Sequence, residues 1–316
     1  MEDEKLNGVA AALSADAVAG AVYAAVRHCA THLRPDVLAA MQTARADETQ
    51  ARALSVLDCL LENAHIGHTD GVPICQDTGT CWVRLEIGEE LSVPGNILSR
   101  VNDAVARAYT DGRLRMSVLA DALLDRTNTG DNTPAFAEVA FRPGRGATLH
   151  VLLKGGGSDN ASRVVMLAPG AGWEGVRQVV LDCVHEKAAN ACPPLIVGVG
   201  VGATFDKVAG LAKHALLRKV GSPAASPQAA AREAELLAAV NATGIGPAAL
   251  GGGATALAVH LETAPCHIAA LPVAVNMGCS AMRSTSIDLV SWETGLPVAN
   301  PTANLAYTPV EEGENR

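Results

Sequence analysis

The stretch ACPPLIVGVGVGATFDKVAGLAKHALLRKV, residues 191–220, decides the fold class. Residues 195–201 form an apolar run rich in Val and Ile, bounded by Pro193-Pro194 and by Gly202, which is the pattern of a buried strand. Residues 203–220 follow with Ala, Leu and Lys and no proline, the texture of a helix. Working outward, the strand texture returns at 81–87, 136–141 and 148–153, and the helical texture at 96–109, 174–190, 229–239 and 255–263. Within 174–190, Val176, Val179, Val180 and Val184 line one face. Residues 11–66 are Ala- and Leu-rich and read as two or three helices, with Leu54, Leu57, Leu61 and Ala64 on one face and helix giving way at Gly67. Strands alternating with helices predict an α/β class: a helical N-terminal region (1–66), a mixed-sheet α/β domain with Gly-rich loops (67–285) and a C-terminal extension (286–316).

The chain of 316 residues, 49% hydrophobic and 18% charged, has the balance of a folded protein with a sizeable core. Aromatic residues are only 3%, so no platform for stacking single-stranded nucleic acid is present, and a net charge of -9 argues further against a nucleic-acid partner. A local basic pocket for a small anion stays compatible with that charge. Residues 1–6, MEDEKL, carry neither the basic region nor the apolar run of a secretory signal, and no stretch of about 18 uncharged apolar residues follows, so a cytoplasmic protein with no membrane partner is expected.

Glycines concentrate where strands end, at 155–157, 198–202 and 244–253, where a bare backbone can approach a ligand. The eight cysteines are too scattered for a disulfide framework, leaving reduced thiols or metal ligands. Cys59 and Cys183 fall on apolar helix faces and Cys81 opens a strand; all three are expected in the core. Cys75, Cys192 and Cys279 instead lie in loop-like segments, PICQDTGT, NACPP and NMGCSAMR, separated by 117 and 87 residues. No zinc finger or ribbon has that spacing. Three isolated loop cysteines suit either unconnected thiols or an iron-sulfur cluster with one iron left open, and spacing leaves both alternatives standing.

Taken together, PICQDTGT (73–80), NTGDNTP (128–134), KGGGSDN (154–160), ACPPLIVGVGVGATFDKVA (191–209), GIGPAALGGGATAL (244–257) and HIAALPVAVNMGC (267–279) resemble the iron-sulfur-dependent class I fumarase and L-tartrate dehydratase family, specifically its cluster-binding alpha subunit. The resemblance runs from about Asn63 to Arg283 and makes 67–285 the cluster-binding hydro-lyase domain. It implies a 4Fe-4S cluster ligated by Cys75, Cys192 and Cys279, with Gln76, Asp77, Arg115, Gly155, Gly156 and His267 at a small dicarboxylate substrate and Asp77 and His267 as catalytic residues. It further implies reversible hydration and dehydration of a C4 dicarboxylate, fumarate and malate foremost, or dehydration of L-tartrate to oxaloacetate, in a hetero-oligomer whose beta subunit supplies the base. The chain departs from the family pattern at Gly253, where some relatives carry Lys, and at Cys266, expected to be a small packing residue.

Two other functions fit parts of the pattern. A mesaconate-type hydratase subunit would differ by a methyl group on the substrate, and a non-catalytic iron-sulfur sensor would need the cysteines without Gln76, Asp77, Arg115 and His267. A nucleotide-binding domain fails, because GGGS after Lys154 is neither GxGxxG nor GxxxxGK[ST].

Overall fold

The computed structural model describes residues 13–93 and 95–305. In chain order its elements are α1 (Ala15–Thr31), α2 (Pro35–Asp47), α3 (Ala51–Asp70), β1 (Thr80–Gly88), α4 (Val101–Asp111), β2 (Phe136–Arg142), β3 (Ala147–Lys154), α5 (Gly156–Asn160), β4 (Arg163–Leu167), α6 (Gly172–Lys187), β5 (Leu195–Ala203), α7 (Phe205–Ala215), α8 (Pro227–Asn241), β6 (Ala256–Cys266), β7 (Leu271–Gly278) and β8 (Arg283–Val290). The α/β class with helices first and mixed sheets after them is the observed architecture. The chain divides into two units: one holds the chain up to His32, Gly67–Lys154 and the chain from Arg283, the other holds Leu33–Ile66 and Gly155–Met282. Its boundaries fall between His32 and Leu33, Ile66 and Gly67, Lys154 and Gly155, and Met282 and Arg283. Residues 286–290, expected in an extension, complete β8 and pair with β3.

In the first unit the sheet order is β2-β1-β3-β8, with β1 and β2 parallel and the other pairs antiparallel. Strand alternation separates its faces. One face sends Val83, Leu85, Leu149, Val151 and Ile287 against Val22 and Val26 of α1 and Val101 and Val105 of α4. The other carries Arg84, Glu86 and Arg142, in which Glu86 receives Arg84 at 3.2 Å and Arg142 at 2.5 Å.

In the second unit the order is β4-β7-β5-β6, with β5 and β6 parallel. Helices α6 and α8 bury Val176, Val180, Val184, Leu236 and Val240 against Val197, Val199, Val259, Val275 and Met277. Residues 255–263, expected as helix, are strand β6 instead. An Ala- and Leu-rich apolar run carries no period that separates a buried strand from a buried helix, and pairing with β5 decides the matter. The GVGVG of β5 has a packing cause: a Cβ on Gly198 would stand 2.1 Å from the Ala212 carbonyl of α7, and one on Gly200 2.6 Å from that of Val208. Helix α7 therefore rests on bare strand backbone. Gly198→Ala is expected to cost about 1–3 kcal/mol or more through forced backbone shifts, read as a lower urea midpoint; an unchanged midpoint would mean that α7 is not seated there.

Each unit buries one histidine in neutral form. Burial, reinforced by His28 and His68, pulls His32 down to about 4, and burial with the Arg218 charge pulls His260 to about 4. Both ordinarily titrate near 6.5. Because the folded values lie below the unfolded one, the associated stability is complete above pH 6.5 and drains away toward pH 4, by at most about 1.4 kcal/mol per pH unit for each group. Urea midpoints at pH 7.5 and 5 should differ in that direction, and His260→Gln should flatten the difference in the second unit.

Candidate functional site

In the first unit the segment around Cys75 is held from several sides. The Ile74 N–H donates to the Ala30 carbonyl at 3.0 Å, seating the loop against the end of α1. Asp77 closes an Asx turn, its Oδ1 accepting from the Gly79 N–H at 3.0 Å. The Thr78 hydroxyl donates to the Arg115 carbonyl at 2.7 Å, so the Gln76-Asp77 corner and Arg115 are brought together although they lie far apart in sequence. Beneath them Tyr109, whose phenol burial keeps protonated, donates to the carbonyls of Thr78 at 3.0 Å and Gly79 at 2.9 Å. Asn132, fully buried with φ 60, donates from Nδ2 to Gly79 O at 3.0 Å and accepts the Ser117 N–H at 2.7 Å. NTGDNTP is thereby the strut between the Cys75 loop and the Arg115 loop. The roles of Asn132 and Tyr109 were not read from the sequence; an Asn in the left-handed region before Thr-Pro was the available signal. Cys75 is half-buried, and Gln76 and Arg115 are exposed.

In the second unit Cys192 and Cys279 meet. The Ser280 N–H donates to the Cys192 carbonyl at 2.9 Å, at the end of the sheet where β5 begins and β7 ends. Cys192 is exposed and sits at φ 56, ψ 69, a left-handed conformation that a non-glycine residue adopts only under constraint. Part of that constraint is the Gly-rich loop, since the Ala248 N–H donates to Pro193 O at 2.8 Å, while Gly253 is fixed through its N–H on Glu48 Oε2 at 2.8 Å. The Gly155-Gly156-Gly157 segment reaches the same end: it leads into α5, Asn276 Nδ2 donates to Asp159 Oδ1 at 3.3 Å and Ser162 Oγ at 2.7 Å, and Lys187 holds the Asn160 carbonyl at 3.1 Å.

His267 is not brought to that end. It follows β6 in the hairpin to β7, exposed, with its Nδ1 accepting the Ala269 N–H at 3.1 Å. The twelve residues to Cys279 include the whole of β7, so the two lie about 25 Å apart along the strand. Cys266 beside it is exposed, not packed inside, and Cys59 is exposed on α3, contrary to the core expected for both.

The remaining cysteines sort cleanly. Cys29, Cys81 and Cys183 are buried; burial pushes the Cys81 thiol far up and that of Cys183 to about 11, and Cys183 donates to the Ala161 carbonyl at 3.2 Å. Such thiols do not ligate. Cys75, Cys192 and Cys279 are the half-buried or exposed loop thiols, and soft sulfur donors of that kind fit an iron-sulfur cluster. Among the described residues no three His, Cys, Asp or Glu side chains crowd one point as ligands of a single ion would. No helix among the described residues is long and apolar enough to cross a membrane.

Residues 19–288 match the family model described as fumarate hydratase (Fumerase). The chain is 36% identical over 263 residues to a Methanocaldococcus jannaschii protein named as a candidate L(+)-tartrate dehydratase subunit alpha, covering 81% of this chain and 92% of that one. It is 32% identical over 257 residues to L(+)-tartrate dehydratase subunit alpha of Escherichia coli, covering 80% and 84%, and matches the Shigella sonnei protein of the same name to the same extent.

Proposed function

The chain belongs to the fumarate hydratase (Fumerase) family, and from that premise we propose that it is the alpha subunit of a hydro-lyase that adds water to, or removes it from, a C4 dicarboxylate. Cys75, Cys192 and Cys279 are the proposed ligands of its 4Fe-4S cluster. The observation that carries the proposal is the junction of Cys192 with the Cys279-Ser280 turn at 2.9 Å, under a Gly-rich loop and with Cys192 held in a left-handed conformation. Held by Cys75, Cys192 and Cys279, such a cluster would supply Lewis-acid chemistry at a substrate oxygen.

The chain's own residues then divide the remaining work. Arg115 offers a guanidinium fork to a substrate carboxylate, and its backbone tie to Thr78 fixes it relative to the Gln76-Asp77 corner. Gln76 binds a substrate oxygen, and Asp77, its carboxylate oriented by the Gly79 N–H, is the catalytic carboxylate at the substrate. Gly155 and Gly156 present backbone without side chains over the ligand. Dehydration breaks the C2–O bond and removes a proton from C3, so a base is needed opposite the leaving hydroxyl; the named relatives are alpha subunits, and a beta subunit is the proposed source. Malate and tartrate share both carboxylates and the 2-hydroxyl, and differ by one hydroxyl that the partner's side of the site can sense.

The test is turnover of malate and L-tartrate by the chain alone and by the chain co-purified with a beta subunit, under anaerobic conditions. Activity in the complex and none in the isolated chain is expected. Full activity of the isolated chain would overturn the division of labour.

A further inference from the structure

Arg283 heads the fully buried large side chains, with only 1% of it exposed, and its Nε and Nη1 have no hydrogen-bond partner. A guanidinium does not discharge, and a buried cation whose donors are unanswered is unfavourable unless an anion meets it. Its position in the first unit is defined by register. Arg283 pairs with Leu153 and Leu153 pairs with Cys81, so the three side chains share the sheet face beneath α1 and α4, at the end where the Cys75 loop enters β1. Its charge and that of Asp77 both act on the Tyr109 hydroxyl, the group that clamps the carbonyls of Thr78 and Gly79. Asp77, the carboxylate that acts on the same hydroxyl, takes the Gly79 N–H, while Glu86 stands on the opposite face of the sheet with Arg84 and Arg142. In sequence Arg283 lies four residues past Cys279.

Three thiolates outweigh the charge of an oxidised four-iron core, so the ligated cluster is an anion. We propose that Arg283 is a positioning residue that answers this negative charge, governing how tightly the cluster is held and at what potential it is reduced. The inference rests on the cysteine ligation proposed above. It treats Arg283 as a residue that acts through the cluster and does not touch substrate.

The opposite signs expected for the empty and the loaded chain provide the test. In the cluster-free chain Arg283→Met removes an unanswered buried charge and should leave the melting temperature equal or higher. After anaerobic reconstitution the same variant should release iron to a chelator about ten- to a hundredfold faster than wild type, in line with other residues that support metal ligands, and its cluster should be reduced at a more negative potential. Arg283→Lys keeps a charge without the fork and should fall between, also serving where the methionine variant folds poorly. Iron retention and potential equal to wild type in both variants would overturn the proposal, as would a sharp loss of stability in cluster-free Arg283→Met and Arg283→Lys alike. A wild-type chain that takes up no iron would remove the ligation itself, an outcome separate from any difference between variants.

Discussion

Replacing Cys192 or Cys279 by serine is expected to lower turnover of the chain with its beta subunit by at least about a thousandfold, since metal Lewis-acid stabilisation worth several kcal/mol would be lost. Serine keeps the volume of cysteine and exchanges a soft donor for a hard one, so the backbone link from Ser280 to the Cys192 carbonyl should survive. The control is built into the same chain. Cys59→Ser, on an exposed face of α3, should retain activity, and Cys183→Ser should alter stability more than chemistry because that thiol is buried on the Ala161 carbonyl. Steady-state rates with malate and L-tartrate, set beside urea midpoints, separate the two effects. Activity surviving in Cys192→Ser would leave the cysteine junction with no part in the reaction.

For Arg115→Met the expected result is a fall in kcat/KM of about a hundredfold or more, the equivalent of losing a charge-assisted, two-pronged carboxylate contact. Arg115→Lys should recover only part of it, because an ammonium does not reproduce the fork. The side chain is exposed and what the structure ties down is its backbone carbonyl, so unfolding free energy should move by no more than about 0.5 kcal/mol. A similar fall in stability and activity together would make Arg115 a support of the loop. Unchanged kcat/KM would remove it from the site.

The parts of this molecule legible in the sequence are those governed by local chemistry. The β5 stretch announces itself because Pro193-Pro194 and Gly202 bound a Val-rich run, and the motif residues Gln76, Asp77 and Arg115 do fall together, through the Thr78 hydroxyl. What stayed hidden depends on pairing. Strand β6 has the composition of a helix and is a strand because β5 lies beside it. Strand β8 straddles the expected limit at residue 285, and Leu149, Val151 and Leu153 of β3 are its partners. His267, placed at the substrate by the resemblance, is separated from Cys279 by the whole of β7, a length that only strand pairing reveals. Arg283 gave no signal at all, since only the enclosure of its guanidinium distinguishes it from a surface arginine.

The central proposal is that Cys75, Cys192 and Cys279 are the ligands of one 4Fe-4S cluster. Iron and acid-labile sulfide per chain, measured after anaerobic reconstitution of wild type and of Cys75→Ser, test it most directly. The account predicts about four of each in wild type and loss of the intact cluster in Cys75→Ser, as a cubane deprived of one of three protein ligands requires. A full complement of iron and sulfide in Cys75→Ser, or none in wild type, would contradict it.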